Sequence, residues 1–433
     1  MRKVIVLIGL ILLFNLSACT TRKIDDNSKL IRVAFWGAPE EVKIIKEITD
    51  KWQIENPDIK IKLDHTNYSE YGSKILTQIA GGAAPDVIFT EVDMFINFVK
   101  KGVLAPLDQF IEKDTEFKLN DFFPEVVQRF IVDDKLYCIP RDTAPFACVY
   151  YNKGLFDEAG ISYPKDNWTW DDLLEKAQKL TIFNEDGRVK QYGFYTWAWK
   201  NFVYGNGGAL VDDVSNPTKC LLNEEKAIQG LEFYADLINK YKVMPAPVAM
   251  DNLGMGVHAM FVMGKVGMFC SGIWETPVLK NKTKIMLLKG KKFDWDIVMF
   301  PKNKEGIRSF GTGGSGYCIT KACKNKEDAW KVVKALSGDE GQIKLAETGL
   351  VQPANQKIAE SKFWAYNKEM PYNKKMLNKA VKYVTYDPFH VKWAEAYQLY
   401  IIPKLDLVFN GKLTVKEAVV LFIDKVNSLL NKK

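Results

Sequence analysis

Residues 81–111, GGAAPDVIFTEVDMFINFVKKGVLAPLDQFI, constrain the fold more tightly than any other stretch of the chain. A glycine pair and Pro85 precede the apolar run Val87, Ile88 and Phe89, after which come Thr90, Glu91 and Asp93. That order predicts a loop, a buried strand, and polar groups at the strand's carboxyl end. Open α/β sheets usually hold their ligands at that end. Phe95, Phe98 and Val99 then recur at helical spacing until Gly102 stops the helix. The stretch thus delivers a polar rim from inside a helix–strand–helix unit.

The same alternation runs upstream. Residues 30–36 read as a strand with Trp36 at its carboxyl end, and residues 40–53 as a helix carrying Ile44, Ile45, Ile48 and Trp52, stopped by Asn56-Pro57. Ile59, Ile61 and Leu63 alternate as a second strand, and Ile75, Leu76 and Ile79 belong to a second helix. This is a doubly wound α/β pattern. At 433 residues the chain exceeds one ordinary core, so two or more such lobes are expected.

Residues 121–152 break the rhythm. A turn at Asp133-Asp134, a strand to Ile139, Pro140 ahead of Arg141-Asp142-Thr143, and a second strand through Val149 to Tyr151 suit a crossover between lobes. Thr169 with Asp172, and Thr414 with Glu417, have capping-box spacing. An aromatic cluster, Tyr192 to Phe202, leads to Asn206-Gly207-Gly208; a short strand over 266–269 delivers Trp274 and Glu275; and a glycine-rich loop over 311–316 precedes another strand. Near the carboxyl terminus Leu421, Phe422, Val426 and Leu429 fall on one helical face.

With 47% hydrophobic and 26% charged residues the chain is a folded one. Its net charge of +7 comes from lysines spread over helices and ends rather than concentrated in one arm, which argues against nucleic acid as a partner. Arg2 and Lys3, an apolar run over 4–14, and Leu16-Ser17-Ala18-Cys19 form a secretory signal too short for a membrane span. The last four residues resemble the bacterial lipoprotein processing box. On that reading 1–18 is a signal peptide, Cys19 is lipidated, 19–29 is a tether, and the protein sits at the cell surface on the outer face of the cytoplasmic membrane; a leader cut elsewhere is the alternative. The six other cysteines are expected to be mostly free and buried. Without zinc spacing, a CxxC or more than three histidines, no metal and no cofactor are expected.

Several motifs in order carry a resemblance: FWG (35–37), IAGGAAPDVIF (79–89), KGVLAPLDQFI (101–111), KLYCIPRD (135–142), YYNKGLFDEAGI (150–161), WTWDDLLEKAQKLT (168–181), FVMGKVGMFCSGIW (261–274) and AWKVVKALSGDEGQ (329–342). Together they resemble the extracellular solute-binding proteins of ABC importers, in the carbohydrate-binding family 1. The resemblance implies an α/β fold of two doubly wound lobes joined by hinge strands, periplasmic-binding-protein-like, type II. It places an N-terminal lobe at 30–140 plus about 302–350 and a C-terminal lobe at 141–301 plus about 351–433. It implies a monomeric receptor, not an enzyme, that closes on a mono- or oligosaccharide and delivers it to permease subunits of an ABC transporter. A glycoside hydrolase, or a binding protein or sensor for a non-sugar solute, is the alternative.

A sugar offers apolar faces and in-plane hydroxyls, so its site needs flat rings and polar partners. Trp36, Trp197, Trp199 and Trp274 are the candidate platforms; Trp197 and Trp199, two apart, face the same way in an extended segment. Glu91, Asp142, Asn206, Glu275 and the backbone at Gly313 are the candidate polar partners. Each has a plainer reading beside it: packing under the hinge for Trp36, a cap or solvated rim for the carboxylates, a turn for Gly313, and an ion pair between Arg141 and Asp142.

Overall fold

Two five-stranded sheets carry the chain. The computed structural model describes residues 29–432; the leader, Cys19, the tether up to residue 28 and the side chain of Asp93 lie outside the described residues. In the first sheet Ile59–His65, Lys29–Phe35 and Val87–Glu91 run parallel, and Ser315–Ile319 and Ile139–Pro140 continue it antiparallel. Val87, Ile88 and Phe89 are all buried, as a run covered on both faces must be. The second sheet orders Trp295–Met299, Cys148–Asn152, Val266–Ser271, Val189–Thr196 and Ile182–Phe183. Here Val266–Ser271 and Val189–Thr196 are parallel, and Cys148–Asn152 opposes both its neighbours.

Strand direction decides where the chain emerges. Phe35, His65 and Glu91 end at one edge of the first sheet, and because Ser315 pairs with Glu91 the preceding loop enters at that edge too. In the second sheet Thr196 and Ser271 end together, Cys148 begins opposite Ser271, and Met299 leaves opposite Cys148. Segments 141–147 and 300–314 join these edges and turn them toward one another. The segments run side by side, with Pro145 bridging Thr312 and the Phe146 amide donating to the Gly311 carbonyl at 2.9 Å. A third crossing lies beside them, where Asp142 bridges Pro353 and the Thr143 hydroxyl donates to Gln352 Oε1 at 2.5 Å. Asn201, fully buried, ties the first two together: its amide donates to the Phe146 carbonyl at 2.7 Å and accepts from the Gly311 amide at 2.9 Å.

Local signals in the sequence account for several elements. Helix Pro39–Glu55 starts on a proline at its first position and buries Ile44, Ile45 and Ile48. Both predicted capping boxes form, Thr169 with Asp172 and Thr414 with Glu417. Asp133 and Asp134 adopt φ of 49° and 59°, the pair of left-handed residues a tight two-residue hairpin needs, between Ile131–Val132 and Lys135–Leu136. All six described cysteines are free and buried. Among the described residues no helix is long and apolar enough to cross a membrane.

One predicted face is not continuous. Phe422, Val426 and Leu429 are buried, but Leu421 is 57% exposed. The helix breaks between Val415–Val420 and Ile423–Leu430, with Phe422 at φ −124°, and that turn rotates Leu421 outward.

One close helix-to-sheet approach rests on a glycine. A Cβ on Gly193 would stand 1.8 Å from the Ala177 carbonyl oxygen, between strand Val189–Thr196 and helix Trp170–Leu180. Gly193→Ala is expected to lower stability by about 1–3 kcal/mol, since backbone opposes it and cannot swing aside. A denaturant titration checks this through a lower midpoint with an unchanged slope.

Candidate functional site

The first wall is built on strand ends. Trp36 follows Lys29–Phe35 and sits half-buried against Tyr68 at 5.7 Å, Tyr71 at 4.8 Å and Phe89 at 4.3 Å between ring centroids. Tyr71 is fixed beneath it, its hydroxyl donating to the carbonyls of Ala34 at 3.0 Å and Phe89 at 2.7 Å. Glu91, last in Val87–Glu91, accepts a hydrogen bond from the Tyr68 hydroxyl. Burial among protein atoms pushes its carboxyl up to about 7; Tyr68 and Lys200 pull it down, and the charges of Asp142 and Asp387 add to the rise. Lys200 and Asp387 form an ion pair, and the Lys200 ammonium lies 4.3 Å over the Tyr397 ring. Glu91, at the end of a first-sheet strand, therefore feels a charged pair whose members come from outside that sheet.

The second wall is aromatic. Trp274 lies in the tight turn Ile273–Glu275, immediately after Val266–Ser271. A Cβ on Gly272 would fall 1.8 Å from its indole, so only glycine lets the ring fold back over that backbone. Phe146, from the first crossover, meets Trp197 at 4.9 Å and 69° and Trp274 at 5.9 Å and 88°, both edge-to-face. The glycine loop clears space for the same ring: a Cβ on Gly311 would lie 3.0 Å from Phe146, and one on Gly313 3.6 Å. Trp197 keeps 45% of its surface exposed.

The remaining predicted residues are engaged by neighbouring protein groups. Trp199 is buried and stacks on Tyr397 at 6.2 Å and 11°. It does not share a face with Trp197, because the strand ends at Thr196. The Thr196 hydroxyl accepts from the Ala198 amide at 3.0 Å and the Trp199 amide donates to the Trp197 carbonyl at 3.0 Å, a turn that abolishes the two-residue period. Asn206, at the end of Lys200–Gly205, donates to the Lys226 carbonyl at 2.9 Å and to Gln229 at 3.3 Å, and accepts from Asn303 at 3.3 Å. Asp142 accepts from the Ser315 amide at 3.0 Å, the Ser315 hydroxyl at 2.5 Å and Arg141 Nε at 2.9 Å. Gly313 donates to the Ala144 carbonyl at 3.0 Å, and its own carbonyl accepts from Arg129 at 2.5 Å. Glu275, buried, accepts from the Ser271 hydroxyl at 2.6 Å and pairs with His258. That pairing raises the His258 pKa, and Glu40 on the first-lobe helix adds to it.

The facing edges thus hold Trp36, Glu91, Trp197 and Trp274, joined by Tyr68, Phe146, Lys200 and Asp387, which sequence reasoning missed. Tyr68 was within reach of it, lying three residues past Ile59–His65 as Trp36 lies past the first strand. Phe146 is marked only by its place in the crossover. Asp387 had no local signal, since its partner Lys200 is 187 residues away in sequence.

Residues 38–343 match a family described as bacterial extracellular solute-binding protein. The chain belongs to that family. An arabinooligosaccharide-binding protein of Bacillus subtilis is 26% identical to this solute-binding protein over 351 residues, 76% of this chain and 75% of that one. An ABC substrate-binding protein from Listeria monocytogenes, solved in complex with cycloalternan, superposes with a TM-score of 0.82 at 25% identity, covering 94% of this chain and all of that one. A receptor from Streptomyces glaucescens, solved unliganded and with acarbose, gives 0.77 at 21% identity, covering 94% and 100%. The solute-binding protein is accordingly α/β, with two doubly wound lobes joined by hinge strands in the type II periplasmic-binding-protein arrangement.

Asp142 offers a direct test of the frame. Asp142→Ala would leave the Arg141 guanidinium, 6% exposed, with Glu41 as its one remaining carboxylate and would strip Ser315 of both its bonds to the aspartate. The expected cost is about 3–5 kcal/mol, the range for breaking one side of a buried ion pair. Urea unfolding of the variant beside Asp142→Asn, which keeps an acceptor for Ser315, checks it.

Proposed function

We propose that this solute-binding protein captures a neutral mono- or oligosaccharide between its lobes, catalyses no reaction on it, and presents it to the permease subunits of an ABC transporter. In this reading the lobes comprise 30–140 plus about 302–350 and 141–301 plus about 351–433, and the monomeric protein is held by lipid on Cys19 at the outer face of the cytoplasmic membrane. One observation carries the proposal: indole rings stand on both facing edges, Trp36 on one, Trp197 and Trp274 on the other, and Glu91 at the first edge lies within electrostatic reach of Lys200 and Asp387. Rings stack on the apolar faces of a pyranose, and the charged groups accept from and donate to its hydroxyls. The arabinooligosaccharide- and cycloalternan-binding relatives support a glycan over another solute.

Three adjacent crossing strands suit hinge closure of one lobe on the other. A handful of hydrogen bonds at a net ~1 kcal/mol each and stacked faces at ~25 cal/mol per Å², less the cost of ordering, reach about −8 kcal/mol, a micromolar dissociation constant.

A glycan panel read by thermal shift identifies the ligand, because a solute bound only by the folded state raises its melting temperature. Chromatography of the same incubations is expected to return every glycan intact; a cleaved product would overturn the receptor reading in favour of a hydrolase. With the ligand in hand, Trp274→Ala is expected to weaken binding at least about tenfold, a loss of ~1.4 kcal/mol, measured by calorimetry. Binding unchanged in that variant would remove Trp274 from the site.

Glu91 adds a pH signature. A hydroxyl donated by the sugar favours the ionised carboxylate, whereas in the free protein that group titrates near 7. Binding therefore releases a proton below that pH, and affinity is expected to fall as pH drops from about 7 toward 5, by up to about tenfold per pH unit. Glu91→Gln cannot titrate and is expected to flatten that slope. An equally steep slope in the variant would assign the effect to another group.

A further inference from the structure

The helix that begins beside Trp274 ends in a patch that sugar binding does not use. Thr276–Leu288 packs through Leu279 and Thr283, whose hydroxyl accepts from the Trp295 indole at 3.0 Å. Ile285 and Leu288, three residues apart, lie on the opposite side with 37% and 88% exposure, and Leu287 is 71% exposed. Lysines surround them at positions 280, 282, 284, 289, 291 and 292, with no acidic residue between 276 and 292. Among the described residues only Lys280 of these six has an ion-pair partner, Glu369 at 3.1 Å. The other five are exposed, and Gly290 at φ 70° turns the chain so that Lys291 and Lys292 flank the helix end.

Exposed leucines at a helix end normally cost solubility, and unpaired lysines normally repel one another. Both become favourable against an anionic phospholipid surface, where the apolar tip enters the headgroup–acyl boundary and lysines lie among the phosphates. A purely soluble polyanion would use the charges and leave the leucines in water. We propose that residues 284–292 form a docking patch for an anionic phospholipid bilayer. The helix spans 13 residues, about 20 Å at ~1.5 Å per residue, so the patch touches lipid at one end while Trp274 stays clear at the other. The contact is independent of which solute the cleft holds, and it adds a second, non-covalent hold on the membrane.

The test uses the full-length exported protein with vesicles of phosphatidylcholine alone or mixed with phosphatidylglycerol, and reads hydrogen exchange locally. Slower exchange across 284–292 on the anionic vesicles alone, reversed by salt, is expected. The variants Leu287→Ser/Leu288→Ser and Lys289→Glu/Lys291→Glu should each lose that protection, with about a fivefold loss of vesicle affinity for each lysine charge removed. Both should keep the wild-type melting temperature, which separates loss of docking from loss of folding. Unprotected 284–292 on vesicles to which the protein adheres through its amino terminus would overturn the proposal. So would equal protection by soluble polyglutamate, which would make the partner a polyanion rather than a bilayer.

Discussion

The join between the lobes turns on one buried charge. Arg141 lies where the first crossover leaves the first sheet, its guanidinium 2.5 Å from Glu41, 2.9 Å from Asp142 and 4.3 Å over the Phe89 ring. Burial alone would depress its pKa, but Glu41 and Asp142 outweigh that and hold it above its usual value. It therefore stays charged wherever the protein is folded, and its partners are committed to it. Asp142 passes the constraint on, because its bonds to Ser315 seat the incoming strand against Val87–Glu91. The position of Glu91 at its strand end thus depends on a buried ion pair in the crossover.

A second constraint is the absence of side chains. Gly272 leaves room for the Trp274 indole, Gly311 for Phe146, and Gly314, at φ 101°, for Arg129, whose Nη1 would lie 1.8 Å from any Cβ there. In each pair a large planar group rests on bare backbone. Rings held this way have few alternative rotamers, so less ordering is needed when a ligand arrives. The glycine-rich loop therefore positions Phe146 and Arg129 through what it admits, while its own amides at Gly311 and Gly313 are bonded to Asn201 and Ala144.

Those two constraints explain what was legible in the sequence. Periodicity located the strands and helices of the first lobe, and chemistry at helix starts located both capping boxes, because these signals act over a few residues. The rule that ligands gather at strand carboxyl ends placed Trp36, Glu91 and Trp274 on the facing edges. Periodicity failed where a local turn replaced an expected extension, as between Trp197 and Trp199, and where a helix broke at Phe422. The strand-end rule could not tell a carboxylate facing the cleft from one spent on the frame: Asp142 and Glu275 look like Glu91 in sequence, and only Ser315, Arg141, Ser271 and His258, brought from elsewhere, distinguish them. Asn201 and Asp387 stayed hidden because their partners are remote in sequence.

The distribution of charge in the proposed site bears on what kind of solute it could hold. Lys200 and Asp387 neutralise each other, and burial keeps Glu91 largely protonated up to about 7, so these three groups sum to nearly zero charge. An anionic solute would meet the Asp387 carboxylate, with Lys200 already paired to it. A cationic solute would have to draw Asp387 away from Lys200. A neutral polyol would ask for neither: in the proposed site its hydroxyls would donate to Glu91 and Asp387 and accept from Lys200 without breaking the pair, and hydrogen bonds to charged groups are the stronger kind. The electrostatics and the indole rings therefore favour the same chemistry, which neither would select alone.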